Sequence, residues 1–243
     1  MNDTKLLYME DMSATIGEAT VQEVISLEGR VILILDQTLF YPQGGGQPFD
    51  QGTIETKECI FKVEEVRYFN GATVVKHIGH FEKGTMLVGQ KVTLKIDPVR
   101  RALMSRLHSG GHVIDSAVEQ LKLPCKPGRG CHYPEGAFVE YNGDLPELNA
   151  VELREKLEKL CEEIVQANTP IHIEFVTAEI LRTRGMEVPP GIPAEKPLRL
   201  VSFGKFCMPC GGTHVKALQN LGKILIKKVT LQPGIMRISY SIE

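Results

Sequence analysis

His108 and His112 stand four residues apart in the segment Arg106-Leu-His-Ser-Gly-Gly-His-Val113. About a hundred residues later, Cys210 and His214 are also four apart in Cys207-Met-Pro-Cys-Gly-Gly-Thr-His-Val215. On a helix, side chains at i and i+4 share a face, so both imidazoles of the first pair can reach one ion. Three imidazoles and a thiolate suit Zn²⁺ and fit Mg²⁺ or Ca²⁺ poorly. Cys207 competes with Cys210 for the thiolate position, because Cys-x-x-Cys is itself a common zinc spacing. A ribbon-type structural site wants a second such pair, and Cys125 with Cys131 makes a poor one. On spacing alone the alternative stands: a helix with two satisfied histidines, and unrelated thiols. Catalytic zinc keeps a coordination position for water or substrate, whereas four protein ligands close a structural site. No general base stands out, and Asp115 and Glu140 are the carboxylates available.

The first histidine pair needs a helix to carry it. Asp97-Pro98 is a good helix start, since Asp can cap and Pro is tolerated at the first helical position. The helix is expected to run to about residue 123, with Leu103, Leu107, Ile114, Val118 and Leu121 along one stripe. Gly110 and Gly111 fall in that stripe, and each costs about 1 kcal/mol relative to Ala in mid-helix. Close packing of another segment, or a ligand, would account for keeping them.

Upstream, residues 19–25, 30–35, 53–56, 60–66, 72–78 and 91–96 are short β-branched runs separated by Gly, Asn or Asp. Their spacing implies a small barrel or sandwich. Residues 40–52 form a glycine-rich loop, Phe-Tyr-Pro-Gln-Gly-Gly-Gly-Gln-Pro-Phe-Asp-Gln-Gly. It has no Lys-Ser/Thr and opens no clear helix, which argues against a phosphate-binding loop; a tight turn is the plain reading. Strands give way to helix near residue 95, so 1–95 is expected as a β-domain and 96–243 as the metal-binding domain.

Beyond the histidine helix, residues 124–133 read as a Pro- and Gly-rich loop, 137–141 as a strand, and 147–168 as an acidic amphipathic helix. The inward residues of that helix are expected to be Val151, Leu153, Leu157, Leu160, Ile164 and Val165. Then follow a strand at 171–176, whose His172 reads as surface or structural, a short helix at 177–184 and a loop at 189–197. A strand at 198–203 is expected to deliver Cys207 to His214, and two strands near 222–229 and 235–240 close the chain.

The formal net charge of −2 hides an uneven distribution. Residues 76–106 hold seven Lys or Arg against two acidic residues, and 196–237 hold eight with none. Residues 147–163 reverse this, with six acidic and three basic. Ordinary solvated faces would give such runs, but two basic segments beside the two histidine-bearing segments favour a polyanionic partner such as RNA. Six cysteines without a visible secretory signal favour a reducing compartment, with the cytoplasm the simplest.

With these residues assembled, the chain resembles a known family. His108-Ser-Gly-Gly-His112 and Cys210-Gly-Gly-Thr-His214 resemble the HxxxH and CxxxH pair of the alanyl-tRNA synthetase editing domain and its free-standing relatives, the AlaX trans-editing proteins. The glycine-rich loop and Asp97-Pro-Val-Arg-Arg-Ala-Leu-Met-Ser-Arg-Leu-His108 look like two further motifs of that family, in the same order. The resemblance spans roughly residues 20–240 and is closest to the medium-length AlaX type. It implies an α+β protein: a small β-barrel-like domain, then a two-layer α/β editing domain with a mostly antiparallel sheet. It implies zinc held by His108, His112, Cys210 and His214. The activity implied is hydrolysis of the ester in mischarged Ser-tRNA(Ala), with Gly-tRNA(Ala) as a further candidate. Candidate contacts to substrate and tRNA are Gly44, Gly45, Gly46, Gln47, Arg100, Arg101, Lys205 and Thr213.

Overall fold

A computed structural model of the chain describes residues 3–27, 29–69, 74–143, 145, 148–188 and 197–243. Its elements are β1 (Lys5–Leu6), β2 (Ile16–Leu27), β3 (Arg30–Leu35), β4 (Gln37–Thr38), β5 (Gly52–Glu55), β6 (Ile60–Phe69), β7 (Val74–Lys83) and β8 (Lys91–Ile96). Then come α1 (Pro98–Gln120), β9 (Lys126–Cys131), β10 (Ala137–Asn142), α2 (Ala150–Gln166), β11 (His172–Val176) and α3 (Ala178–Thr183). The last are β12 (Leu198–Phe203), β13 (Phe206–Pro209), β14 (Ile224–Gln232) and β15 (Ile235–Ile242). The fold is α+β, as the sequence implied. The chain divides into two compact units, Met1–Met104 and Ser105–Glu243.

In the first unit, six strands close an antiparallel barrel in the order β2-β3-β7-β6-β5-β8. Alternation decides what lies inside. Phe61 and Val63 of β6 are buried, and a register shift between Val63 and Glu65 then puts Val66 inward instead of Glu65. With Leu33, Leu35, Ile54, Val75 and Leu94 these side chains form one apolar core. The pair β1–β4 runs parallel and was not foreseen, each strand being only two residues long.

The glycine-rich loop is a closed turn built on a buried ion pair. Gly45 and Gly46 take φ values of +53° and +77°, which side-chain-bearing residues rarely adopt, and backbone bonds join Gly44 and Gln47 in both directions. The Tyr41 hydroxyl donates to the Gly44 carbonyl at 2.8 Å, while Asp50 accepts from the Tyr41 amide at 2.7 Å. Asp50 is fully buried and paired with Arg101.

In the second unit a four-stranded antiparallel sheet has the order β14-β15-β10-β9, and a three-stranded antiparallel sheet runs β11-β12-β13. Val139 and Tyr141 of β10 and Met236, Ile238 and Tyr240 of β15 are buried on one face of the larger sheet. From Met104 to Val118, α1 is buried at every position except the half-buried Arg106 and Asp115. Asp97 caps it as expected, its Oδ1 accepting from the amides of Val99 and Arg100 at 2.9 and 3.0 Å. Asn149 caps α2 in the same way.

Three local expectations need correction. Residues 126–131 form strand β9 instead of a loop; it sits at the sheet edge, where Pro127 needs no donor to a further strand. The segment to Cys210 arrives through β13, the return arm of a hairpin with β12, which the sequence did not reveal. On α2 the buried residues are Leu153, Leu157 and Cys161, while Val151, in the first turn, is 61% exposed, so the buried stripe starts at Leu153, two positions later than expected. The expected loop at 189–197 lies almost wholly outside the described residues, as do Ala72, Thr73 and Glu147 from the expected strand and helix.

Candidate metal centre

The four ligands that the resemblance implied converge. One donor atom from each of His108, His112, Cys210 and His214 lies within 4.8 Å of the others, in the second unit. The helix α1 supplies two on adjacent turns, and the loop after β13 supplies the other two. Cys210 Sγ is 3.4 Å from both His108 Nε2 and His214 Nε2. All three histidines are at least 94% buried. His112 Nε2 is a fully buried nitrogen without a hydrogen-bond partner. Such an atom is costly unless something completes it, and here it faces three other ligating groups. The cluster could hold a metal ion such as zinc.

Two of the rings, His112 and His214, are oriented from behind. His112 Nδ1 is 3.2 Å from Asp115 Oδ2; a carboxylate only accepts, so Nδ1 carries the proton and Nε2 is left as the ligating atom. His214 Nδ1 lies 3.3 Å from Ser109 Oγ, which also accepts from the Val215 amide at 3.1 Å. Arg199 on β12 fixes the loop: its Nη1 donates to the carbonyls of Cys210 and Gly212 at 2.8 and 2.9 Å. The Gly212 amide points at the Cys210 sulfur at 3.4 Å, the usual orientation toward a thiolate.

The electrostatics of the metal-free cluster separate charge within it. Burial alone would keep Cys210 and His112 neutral, but their mutual attraction outweighs it. Cys210 is therefore pulled below the ordinary thiol range, while His112, supported by Asp115, is raised to about 10. Burial, with further help from the charge on His112, holds His108 and His214 well below the usual imidazole range. A metal needs neutral imidazoles and a thiolate, so the thiolate and two of the imidazoles are ready, and binding would displace the proton held on His112.

The remaining site candidates take different roles. Asp115 is engaged behind His112 and accepts the Tyr141 hydroxyl at 2.6 Å, so it orients a ligand and is not a free base. Glu140 neighbours Tyr141 on β10 and faces the opposite side of the sheet, where Arg237 grips it at 2.7 Å and Arg129 lies at 3.9 Å. Arg101 is 97% buried and gives its donors to Asp50 and to the carbonyls of Leu39 and Met12, leaving it no reach to a phosphate. Arg100 Nε donates to the Phe49 carbonyl at 2.9 Å, and its guanidinium lies over the Phe49 ring. Gly44 and Gly46 are half-buried, Gly45 exposed and Gln47 buried, all within the first unit. Lys205 is exposed at the β12–β13 turn, and Thr213 is fully buried and accepts from the Ser105 hydroxyl at 2.8 Å.

Cys207 is outside the cluster. It packs on the apolar cluster of β11, α3 and β12, so the competition between the two thiols resolves to Cys210. His172 is exposed, as expected. His132 went unrecognised, because it sits in the stretch read as loop. Its ring stacks on His108 with centroids 4.3 Å apart and planes 19° apart. It fills the space left by Gly111, where a Cβ would stand 2.6 Å from His132 Cε1 and 3.2 Å from the Tyr240 hydroxyl. At Gly110 a Cβ would meet Ile242 Cδ1 at 2.7 Å. The helical glycines thus admit β15 and His132.

The family model for "tRNA synthetases class II (A)" matches residues 3–100. The chain is 32% identical to the alanine–tRNA ligase of Methanobrevibacter smithii over 98% of its own length and 27% of the relative's. It is 29% identical to that of Natronomonas pharaonis and 30% to that of Methanoculleus marisnigri, again over 98% of this chain and 26% and 25% of theirs. The chain spans about a quarter of the length of the curated relatives it matches. Among the described residues no helix is long and apolar enough to cross a membrane.

Proposed function

The chain is homologous over nearly its full length to a portion of alanyl-tRNA synthetases, and from that premise we propose that it is an AlaX-type trans-editing protein. Its reaction is hydrolysis of the ester in Ser-tRNA(Ala), releasing serine and tRNA, with Gly-tRNA(Ala) as a second substrate. The observation that carries this reading is the buried His108–His112–Cys210–His214 cluster with an unpartnered His112 Nε2. The donor set fits Zn²⁺. Bound there, zinc would supply Lewis acidity at the scissile ester.

The chain's own residues prepare that place. Asp115 holds His112 in the tautomer that turns Nε2 inward, Ser109 sets the His214 ring, and Arg199 fixes the loop carrying Cys210 and His214. Burial of the cluster keeps bulk water from competing with the substrate's end. Editing is required because serine exceeds alanine by only one hydroxyl, and an apolar synthetic pocket rejects such an analogue by about a hundredfold.

The test is deacylation of purified Ser-, Gly- and Ala-tRNA(Ala) by the zinc-loaded protein. Release of serine with Ala-tRNA(Ala) spared is expected. Ser-tRNA(Ala) left intact at the uncatalysed rate removes the reading, and an RNA-binding module with a structural metal takes its place. Hydrolysis of small esters with no preference for the tRNA would instead point to a general esterase.

A further inference from the structure

The hydrogen-bond chain behind His132 fixes which of its nitrogens carries the proton. The Leu107 carbonyl can only accept, so the Tyr240 hydroxyl, 2.8 Å away, donates to it. The hydroxyl proton is then used, and His132 Nδ1 at 2.7 Å must donate to the Tyr240 oxygen. This leaves Nε2 as a bare lone pair. It makes no hydrogen bond among the described residues, and although the residue is 96% buried, this nitrogen, unlike His112 Nε2, keeps an opening to solvent. The ring lies parallel against that of His108, itself a member of the metal cluster, which His132 does not join.

Two glycines make room for this imidazole. A Cβ at Gly111 would stand 2.6 Å from Cε1, and one at Gly130 would stand 2.9 Å from Nε2. Any other residue at either position would push the ring out of its stack. A side chain held by a dedicated tyrosine, on a dedicated carbonyl, between two glycines, is a built acceptor whose donor is missing.

We propose that His132 Nε2 accepts the side-chain hydroxyl of the seryl group when the aminoacyl end lies at the metal cluster, and so selects serine over alanine. This rests on the trans-editing reading above. The selection follows from asymmetry. With serine bound the lone pair is satisfied; with alanine bound it loses its water and gains no donor, and that penalty falls on the complex to be spared. The same acceptor leaves glycine, which brings no hydroxyl, with no gain.

Binding tests this separately from catalysis, using 3′-amide analogues of seryl-, alanyl- and glycyl-adenosine and the zinc-loaded full chain. The wild-type protein is expected to bind the seryl analogue at least tenfold more tightly than the alanyl one. His132→Phe keeps a ring on His108 but has no lone pair, and is expected to bring the two within about twofold while retaining zinc. Tyr240→Phe leaves the imidazole in place and frees its tautomer, and is expected to lose part of the preference. It serves as the second arm should His132→Phe fail to fold. A seryl preference undiminished from wild type in the zinc-bound variants overturns the assignment, as does an equal weakening of all three analogues. Failure of the wild-type protein to hydrolyse Ser-tRNA(Ala) is a different result and sinks the functional reading itself.

Discussion

His112 Nδ1 lies 3.2 Å from one oxygen of Asp115, and the other oxygen of that carboxylate accepts the Tyr141 hydroxyl at 2.6 Å. The ligand imidazole is thus oriented by a carboxylate that is itself oriented by a tyrosine on β10. Removing the charge should loosen the ligand. Asp115→Asn is expected to weaken zinc binding ten- to a hundredfold, in the range typical for partners behind a ligand. Tyr141→Phe should do less, because the carboxylate remains. Competition against a chromophoric chelator measures both, and equal affinity in wild type and Asp115→Asn would show the contact to be incidental.

The two ends of Cys207-Met-Pro-Cys210 diverge, and substitution should follow that divergence. Cys210→Ser replaces a half-buried sulfur 3.4 Å from two imidazoles by a poorer zinc ligand, and the purified variant is expected to lose most of its metal. Cys207→Ser removes a thiol that packs against the β11–α3–β12 cluster, and its zinc content should stay at the wild-type level. Metal analysis of the two proteins decides; zinc loss in Cys207→Ser alone would reverse the assignment.

The ligand set could be read in the sequence because each pair is local: four residues on a helix, or four in a loop, declare themselves by spacing. The residues that orient it could not. Asp115 looked like a free carboxylate until Tyr141, 26 residues away, was found on its other oxygen. His132 and Tyr240 meet across 108 residues. Arg101 sits in a basic run that suggested phosphate, yet a barrel loop 51 residues upstream consumes it. Composition reports charge but not burial, and these roles depend on burial.

Gly111 gives the sharpest packing test on the helix. Alanine there gains about 1 kcal/mol of helix propensity, but its Cβ would press a ring held in place by Tyr240. Overpacking of this kind costs about 1–3 kcal/mol. Gly111→Ala is therefore expected to be destabilised by up to about 2 kcal/mol in denaturant unfolding. Gly211→Ala, with nothing within 4 Å of the added methyl, serves as the neutral comparison. Greater stability in Gly111→Ala would mean that His132 moves freely.

The barrel was legible in outline, since its strands alternate or run continuously apolar between turn residues. Closure and strand order were not, because they depend on pairings such as β5 with β8, and on register shifts that no local pattern announces. Strand β9 was missed for the opposite reason. Its Pro and Gly describe a loop, and only its place at the sheet edge permits them.

A polar group inside the barrel gives the last prediction. His77 is fully buried; its Nδ1 donates to the Leu33 carbonyl at 3.1 Å and its Nε2 lies 2.8 Å from the Thr38 hydroxyl. Leu33 fixes the tautomer, so Thr38 donates to Nε2 while its oxygen accepts the Phe40 amide at 3.0 Å. Protonating Nε2 would turn that hydroxyl away from its acceptor and charge a buried ring. Burial, opposed only by the bond to Leu33, accordingly lowers His77 from 6.5 to about 4. Between those values the unfolded chain binds more protons than the folded one, so stability rises with pH across the window. It is complete above about pH 6.5 and falls as pH drops toward 4, by about 3 kcal/mol in all. Other histidines held low by burial add to the same decline on unfolding, so the informative quantity is the difference between wild type and His77→Gln. The variant is expected to be less stable at neutral pH and to show a shallower decline from pH 6.5 to 4. Parallel curves would mean that His77 keeps its proton equilibrium on folding and that Thr38 yields to it.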